Sequence, residues 1–368
     1  MNKVKNENRI CQTLWQHPNL SRVDLSKKLK LDKSTISIEV NRLIKKGIVI
    51  EMEEDSISPI GGRRPIPLMV NKNYGIIIGI AIQCGHYTAV AVNLAGDFLE
   101  EKEEFLSITK DNLALSIQLI YWEFRNRLSK HTGVLLGVGI GVGGIVNQKD
   151  GTILYSVPLK ITESFNFVKN ISEKLDTPFI LENNANCCAW GELAFHKNNE
   201  LNNILFVLVE FKQAIVPHDE YGGVGIGFGI VLNGKVHYGS SSSAGEFRSI
   251  LCTENNGLQV SLSNEELSQI LTDQSVLDRF ASELSSNIAM LVNTLDLSQV
   301  FIGGDIEKCD FDFCQILDDK IQKYWMYPTK KKVGIHYSSL GAKAVAFGAA
   351  GMFTHRLFST DTFPSDMS

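Results

Sequence analysis

The stretch best suited to chemistry in this chain is Leu181-Glu182-Asn183-Asn184-Ala185-Asn186-Cys187-Cys188-Ala189-Trp190-Gly191-Glu192. It follows an apolar, strand-like run, Thr177-Pro178-Phe179-Ile180-Leu181. Its asparagines therefore gather where a strand of an α/β sheet ends, the usual place for a ligand. Carboxamides both donate and accept hydrogen bonds, which suits a hydroxyl-bearing ligand. They cannot act as a base near neutral pH, so Asn184 offers binding without proton abstraction. No Ser-His-Asp order, nucleotide lysine or pair of carboxylates can be assigned elsewhere, and His86, His131, His218, His237 and His336 stand isolated. No catalytic residue is expected.

The elements that must position these residues are bounded by the composition. A chain of 368 residues holds two or three domains. The longest apolar run, Gly133 to Ile145, is shorter than the roughly 20 residues that span a bilayer, and the polar N-terminus is unlike a signal peptide. Seven scattered cysteines, odd in number and without metal-ligand spacing, fit reduced thiols in a cytoplasmic protein. The net charge of −5 divides unevenly: residues 1–50 carry 11 Lys and Arg against 4 Asp and Glu. A basic head on an acidic body points to nucleic acid at one end.

Periodicity resolves the head. Asn6 to His17 reads as a helix, broken by Pro18-Asn19. Ser21 and Asp24 open a second helix as a capping box, and Asp32 caps a third with Ile36, Val40, Leu43 and Ile44 inward and Gly47 as its stop. This is a helix-turn-helix, whose third helix would present Lys33, Ser34, Thr35, Ser37 and Asn41 to a major groove. A strand, Ile48 to Glu51, then leads through Gly61-Gly62-Arg63-Arg64 to Pro65-Ile66-Pro67-Leu68, forming a wing whose Arg63 and Arg64 suit a narrow minor groove. The head from Ser21 through Leu68 resembles that of the repressors of the ROK family, which comprises bacterial repressors and sugar kinases.

The Glu182 stretch resembles the same family's E-N-D-A-N…G-E signature, with Asn184 in place of the Asp that serves as base in its kinases. Gly79-Ile80-Ala81-Ile82-Gln83-Cys84-Gly85 is similar to the kinase opening G-x-D-x-G-G-T, but Ala81, Gln83 and Cys84 depart from it. Gly222 to Val231 resembles the second phosphate loop, with Val224 where a Thr would face phosphate. Gly137 to Asn147 resembles the strand and loop lining the sugar side, including Gly144. Ala244-Gly245-Glu246-Phe247 matches the family's A-G-E-x-G-H, but Arg248-Ser249 replaces Gly-His, and of the zinc-binding cysteines that follow only Cys252 remains, with Gln259 a candidate for the cluster's terminal Glu. A structural zinc needs four ligands, so no zinc is expected.

The resemblance implies an α/β protein: an N-terminal winged helix-turn-helix (1–70), then a two-lobed, actin-like ATPase (ribonuclease H-like) body. The first lobe would span 71–192, completed by a C-terminal helix at 341–357, and the second 193–340, with a disordered tail after Leu357. It further implies a cytoplasmic, sugar-responsive repressor that binds a palindromic operator as a homodimer, without zinc, ATP or membrane. Asn183, Asn184, Glu246, Ser249 and Gly144 would hold an aldose, with xylose the first choice. Two alternatives stay open: a sugar kinase with residual ATP-dependent activity, and a repressor that senses a protein partner.

Overall fold

In the computed structural model the described residues are 5–52, 65–196, 201–211, 223–253 and 257–359. The head comprises α1 (Asn6–Gln16), β1 (Leu20–Ser21), α2 (Arg22–Leu29), α3 (Lys33–Lys45), β2 (Val49–Glu51) and β3 (Pro67–Val70). Ser21 and Asp24 close the expected capping box: Asp24 N donates to Ser21 Oγ (3.3 Å) and Ser21 N to Asp24 Oδ2 (3.0 Å). Asp32 occupies the N-cap of α3 in extended backbone, but its side chain makes no capping bond. β3 pairs antiparallel with β2, Val49 opposite Val70, and with β1, giving the base of a wing. Its tip, with Arg63 and Arg64, lies outside the described residues.

The first lobe contains β4 (Gly75–Gln83), β5 (His86–Asn93), β6 (Phe98–Phe105), α4 (Leu113–Arg127), β7 (Val134–Val142), β8 (Ile145–Asn147), β9 (Thr152–Tyr155), β10 (Phe165–Asn166), α5 (Phe167–Ile171), β11 (Phe179–Asn183) and α6 (Asn184–Phe195). The second contains β12 (Ile204–Phe211), β13 (Val224–Leu232), β14 (Lys235–Val236), α7 (Asn264–Ser268), α8 (Gln274–Leu295), β15 (Gln299–Gly304), α9 (Phe313–Lys323) and β16 (Gly334–Tyr337); α10 (Ala344–Ser359) follows. The main sheets run β6-β5-β4-β7-β11 and β14-β13-β12-β15-β16. Each begins with two antiparallel pairings and continues with two parallel ones, so the lobes repeat one topology. Sequence reading passes over β6, whose Glu100, Glu101, Glu103 and Glu104 are poor strand formers. It holds as an edge strand with much of its surface in solvent, where charge guards against further pairing.

α10 crosses back onto the first lobe and lies over β4 and β7, where a Cβ on Gly79 would fall 1.9 Å from Ala346 O and one on Gly139 2.0 Å from Ala349 O. It packs equally tightly on α6, since a Cβ on Gly348 would fall 1.7 Å from the Cys187 carbonyl oxygen. α6 runs to Phe195, so the expected lobe boundary at 192 falls inside a helix. α10 likewise continues to Ser359, two residues past the expected start of a disordered tail, and residues 360–368 lie outside the described residues. The head joins this assembly: Ile10, Cys11, Leu14 and Trp15 share a core with Phe353, Leu357 and Phe358. Gly348→Ala is expected to force α6 and α10 apart and lower stability by about 1–3 kcal/mol or more, read from the midpoint of urea denaturation.

Candidate functional site

A cleft of about 400 Å³ opens between the lobes. Its first-lobe wall carries Gly143, Gly144, Asn183 and Asn184, and its second-lobe wall carries Glu210, Val224, Glu246, Arg248 and Gln259. Four of the five expected sugar-binding residues thus face one cleft.

The turn from β11 into α6 sets the first wall. Asn183 is the N-cap of α6: its Oδ1 accepts from Asn186 N (3.1 Å), and its Nδ2 donates to Gly144 O (2.8 Å). Gly144 has φ +119°, and a Cβ there would fall 2.2 Å from Tyr155 O, so glycine is required. Asn183 therefore fastens two cleft segments together with the amide a ligand would meet. Asn184 differs. Its side chain is nearly enclosed, and Oδ1 has no hydrogen-bond partner among the described residues. A buried acceptor left unpaired costs about 1–3 kcal/mol, which a hydroxyl donor would offset.

Behind this turn Glu182 is fully buried. Its Oε1 accepts from Asn183 N (2.8 Å) and Asn186 Nδ2 (3.2 Å), and its Oε2 accepts from Tyr238 OH (2.8 Å). Desolvation outweighs these donors and pushes the carboxyl up to about 7. On the opposite wall Gly245, at φ +94°, lets Glu246 approach β13, and burial raises the Glu246 carboxyl as well.

Ser249 corrects the sequence reading, because it does not line the cleft. It is buried, and its Oγ accepts from Asn287 Nδ2 (3.1 Å) and Leu251 N (3.2 Å), which commits it to the loop and to α8. Arg248, its neighbour, faces the cleft instead. Gln259 is a staple, its amide bonded to Ile226 N (2.8 Å), Ile226 O (2.7 Å) and Phe247 O (2.9 Å). Among the described residues Cys252 Sγ reaches Leu258 O at 3.9 Å. Among the described residues no group of three or more His, Cys, Asp and Glu is placed to hold a metal.

At the Glu210 end of the cleft the lobes are joined by a bond that the sequence did not reveal. Gln83, at the end of β4, donates to Glu210, at the end of β12, at 2.5 Å. This bond joins the lobes where the two phosphate loops of the kinase pattern would face each other. The signal was half visible: Gln83 is bulky where that pattern has glycine, but its partner lies 127 residues away.

In the head, Lys33, Ser34 and Asn41 are exposed and Thr35 and Ser37 half-buried on α3. Ser37 Oγ donates to Lys33 O (2.9 Å), so its hydroxyl proton is used inside the helix. Arg22 donates to Glu51 Oε1 (2.6 Å) and to Asn41 Oδ1 (3.0 Å), fixing the Asn41 amide with its NH2 outward from that bond. Ile38 lies on the same face as Ser34 and Asn41 and is 53% exposed. Sequence reading missed it, although Ile36 and Ile38, two residues apart on a helix, cannot share a face.

A family model described as winged helix-turn-helix DNA-binding matches residues 5–50, and the ROK family model matches residues 77–258. The xylose repressor of Caldicellulosiruptor bescii is 30% identical, over 95% of this chain and 95% of its own. The chain belongs to the ROK family. The xylose repressor of Bacillus subtilis strain 168 is also 30% identical, over 66% of this chain and 59% of its own. Among solved structures, a ROK family transcriptional regulator described as a homologue of the Escherichia coli MLC protein has a TM-score of 0.75 at 18% identity, over 96% of both chains. A ROK family glucokinase from Streptomyces griseus, in complex with glucose and AMPPNP, has a TM-score of 0.55 at 19% identity, over 76% of this chain and 99% of its own. Both share the fold. This ROK protein is thus a transcriptional repressor of the xylose-repressor type, with a winged helix-turn-helix on a kinase-fold body.

The two neighbouring asparagines should separate in a stability assay. Asn183→Ala, which removes an N-cap, is expected to cost about 1 kcal/mol in denaturant unfolding. Asn184→Ala, which removes an unpaired buried acceptor, should cost less; the reverse order would mean that Asn184 supports the fold rather than a ligand.

Proposed function

We propose that this repressor binds an aldose in its cleft as effector and has lost phosphotransfer. The observation that carries the reading is the unequal state of the two ends of the cleft. The sugar end keeps Gly144, Asn184 and Glu246, with a carboxamide on one wall and a carboxyl on the other. The phosphate end is bridged by Gln83 and Glu210, and the Val224 side chain offers no donor to a phosphate oxygen. Asn184 cannot take a proton from a sugar hydroxyl, and loss of a general base alone costs about 10²–10⁴ in rate. No ATP and no zinc enter this reading. Xylose is the effector of choice, because the two relatives named above are xylose repressors.

The head would bind a palindromic operator as one of two in a homodimer, with half-sites one helical turn or a multiple apart. Lys33 and Ser34, with Arg63 and Arg64 of the wing, would meet phosphates or base edges. The protein would act in the cytoplasm, where its operator lies; among the described residues no helix is long and apolar enough to cross a membrane. Sugar must favour one arrangement of lobes and heads over the other, since an effector with equal affinity for both shifts nothing.

Fluorescence anisotropy on upstream operator DNA at fixed salt tests this, with D-xylose, D-glucose and N-acetylglucosamine as effectors. Release by one sugar, lost in Asn184→Ala and Glu246→Ala while operator binding persists, is the expected result. ATP-dependent turnover of any aldose above the blank would restore the kinase reading, and specific binding indifferent to every sugar would turn the search to a protein effector. A second assay addresses Ile38, whose exposed side chain suits a thymine methyl in the major groove. Replacing the critical thymine by deoxyuridine should weaken wild-type binding several-fold and leave Ile38→Ala almost unchanged; equal losses in both proteins would remove Ile38 from base recognition.

A further inference from the structure

Resting on the repressor reading above, we propose that Tyr238, Trp190 and His355 are positioning residues that carry the state of the cleft to the DNA-binding head. The connection begins on the second-lobe segment that bears Glu246. Ala244 N donates to Tyr238 O (3.3 Å), and Phe228 N donates to Gly245 O (3.0 Å), so Tyr238 and Glu246 belong to one short stretch tied to β13. A ligand that draws Glu246 toward Asn184 therefore moves the stretch that bears Tyr238.

Tyr238 leaves its own lobe. Its hydroxyl donates to Glu182 Oε2 (2.8 Å) and accepts from Trp190 Nε1 (3.3 Å), both on the first-lobe side. Any rotation of the second lobe must carry this hydroxyl along or break both bonds. Glu182 makes the choice abrupt. An interior carboxyl that loses a donor is strongly disfavoured, so the contact is made or broken rather than gradually stretched. Through Glu182 the same event reaches Asn183 N and Asn186, the cap that presents Asn184 to the cleft.

Trp190 passes the signal outward. Its ring centroid lies 4.6 Å from that of His355 on α10. His355 Nε2 in turn lies 3.2 Å from Gln12 Nε2 on α1 of the head. Burial lowers the imidazole to about 4, so the ring is neutral, and with its proton on Nδ1 it accepts from Gln12. The surrounding contact between α1 and α10 is apolar, with Trp15 and Phe358 rings 6.1 Å apart. Apolar packing is non-directional and tolerates sliding, whereas the Gln12–His355 bond selects an orientation. The route thus crosses from second lobe to α6, to α10, to head through named side chains, and its two-position element is the Tyr238 hydroxyl between the lobes.

Linkage supplies the test. In the full-length protein, operator dissociation constants are measured without sugar and with saturating D-xylose, D-glucose or N-acetylglucosamine, and sugar affinity is measured calorimetrically on the DNA-free and on the operator-bound protein. The ratio of operator dissociation constants with and without sugar in the wild type should lie within the range of about 5–150-fold common for coupled sites. Tyr238→Phe removes one hydroxyl and keeps the ring, and Gln12→Leu removes the last polar contact of the route. Each is expected to bind sugar and operator separately within about threefold of wild type, while the ratio falls toward 1. Sugar affinity should then become independent of operator DNA, a result that loss of packing alone would not produce. A wild-type ratio in both variants would overturn the connection. A wild type that binds operator but ignores all three sugars would instead remove the sugar-effector reading beneath it.

Discussion

The crossing of α6 on α10 is the constraint on which the rest of the molecule depends. Its closeness comes from missing side chains: Gly348 meets the Cys187 carbonyl, and a Cβ on Gly191 would fall 3.3 Å from Gly348 Cα. The buried thiols of Cys187 and Cys188 are raised well above their ordinary range by desolvation and behave as small apolar groups at this contact. α6 also packs on β13, where Gly229 would clash with Ala185 O if it carried a Cβ. One helix therefore touches the first lobe, the second lobe and α10, and α10 touches the head. Backbones this close cannot slide by fractions of an ångström without collision, so displacement at one site appears as rigid movement elsewhere.

Buried carboxyls mark both ends of α6. Glu182, just before its start, accepts from Tyr238, and Glu192, in its last turn, accepts from Ser338 Oγ (2.7 Å) beside β16. Both donors come from the second lobe, and burial pushes both carboxyls up to about 7. These are bonds between lobes made at polar groups that cannot be left unpaired without cost. They pin α6 against the second lobe at two points, while the glycine face holds it to α10. The sugar proposed between Asn184 and Glu246 would act on the same pair of bodies.

The proposed function asks how a kinase fold would serve as a sensor. Phosphotransfer needs a base, a nucleotide cradle and a gap between the lobes. In the proposed reading Asn184, Val224 and the Gln83–Glu210 bond each remove one of these. Hydroxyl recognition needs only polar groups on two walls that approach one another, and those are kept. In that reading the fold would contribute movement and the head would turn movement into spacing on DNA, with no chemistry required in between.

The sequence by itself determined the elements whose cause is local. The capping box at Ser21 and Asp24, the stripe of Ile36, Val40 and Leu43, and the strand that runs into Asn183 and Asn184 all follow from spacing and residue type. Motif resemblance added the two-lobed body and the cleft position of Glu246. Tertiary structure decided what depends on partners distant in the chain. Ser249 turned away because Asn287, on α8, offered a buried donor. Gln83 became a bridge because β4 and β12 end opposite one another, and β6 formed because β5 supplied hydrogen bonds to an otherwise unfavourable run of glutamates. Tyr238, Trp190, His355 and Gln12 look unremarkable in sequence. They meet because glycines let α6 and α10 pack backbone to backbone, a contact that no local pattern encodes.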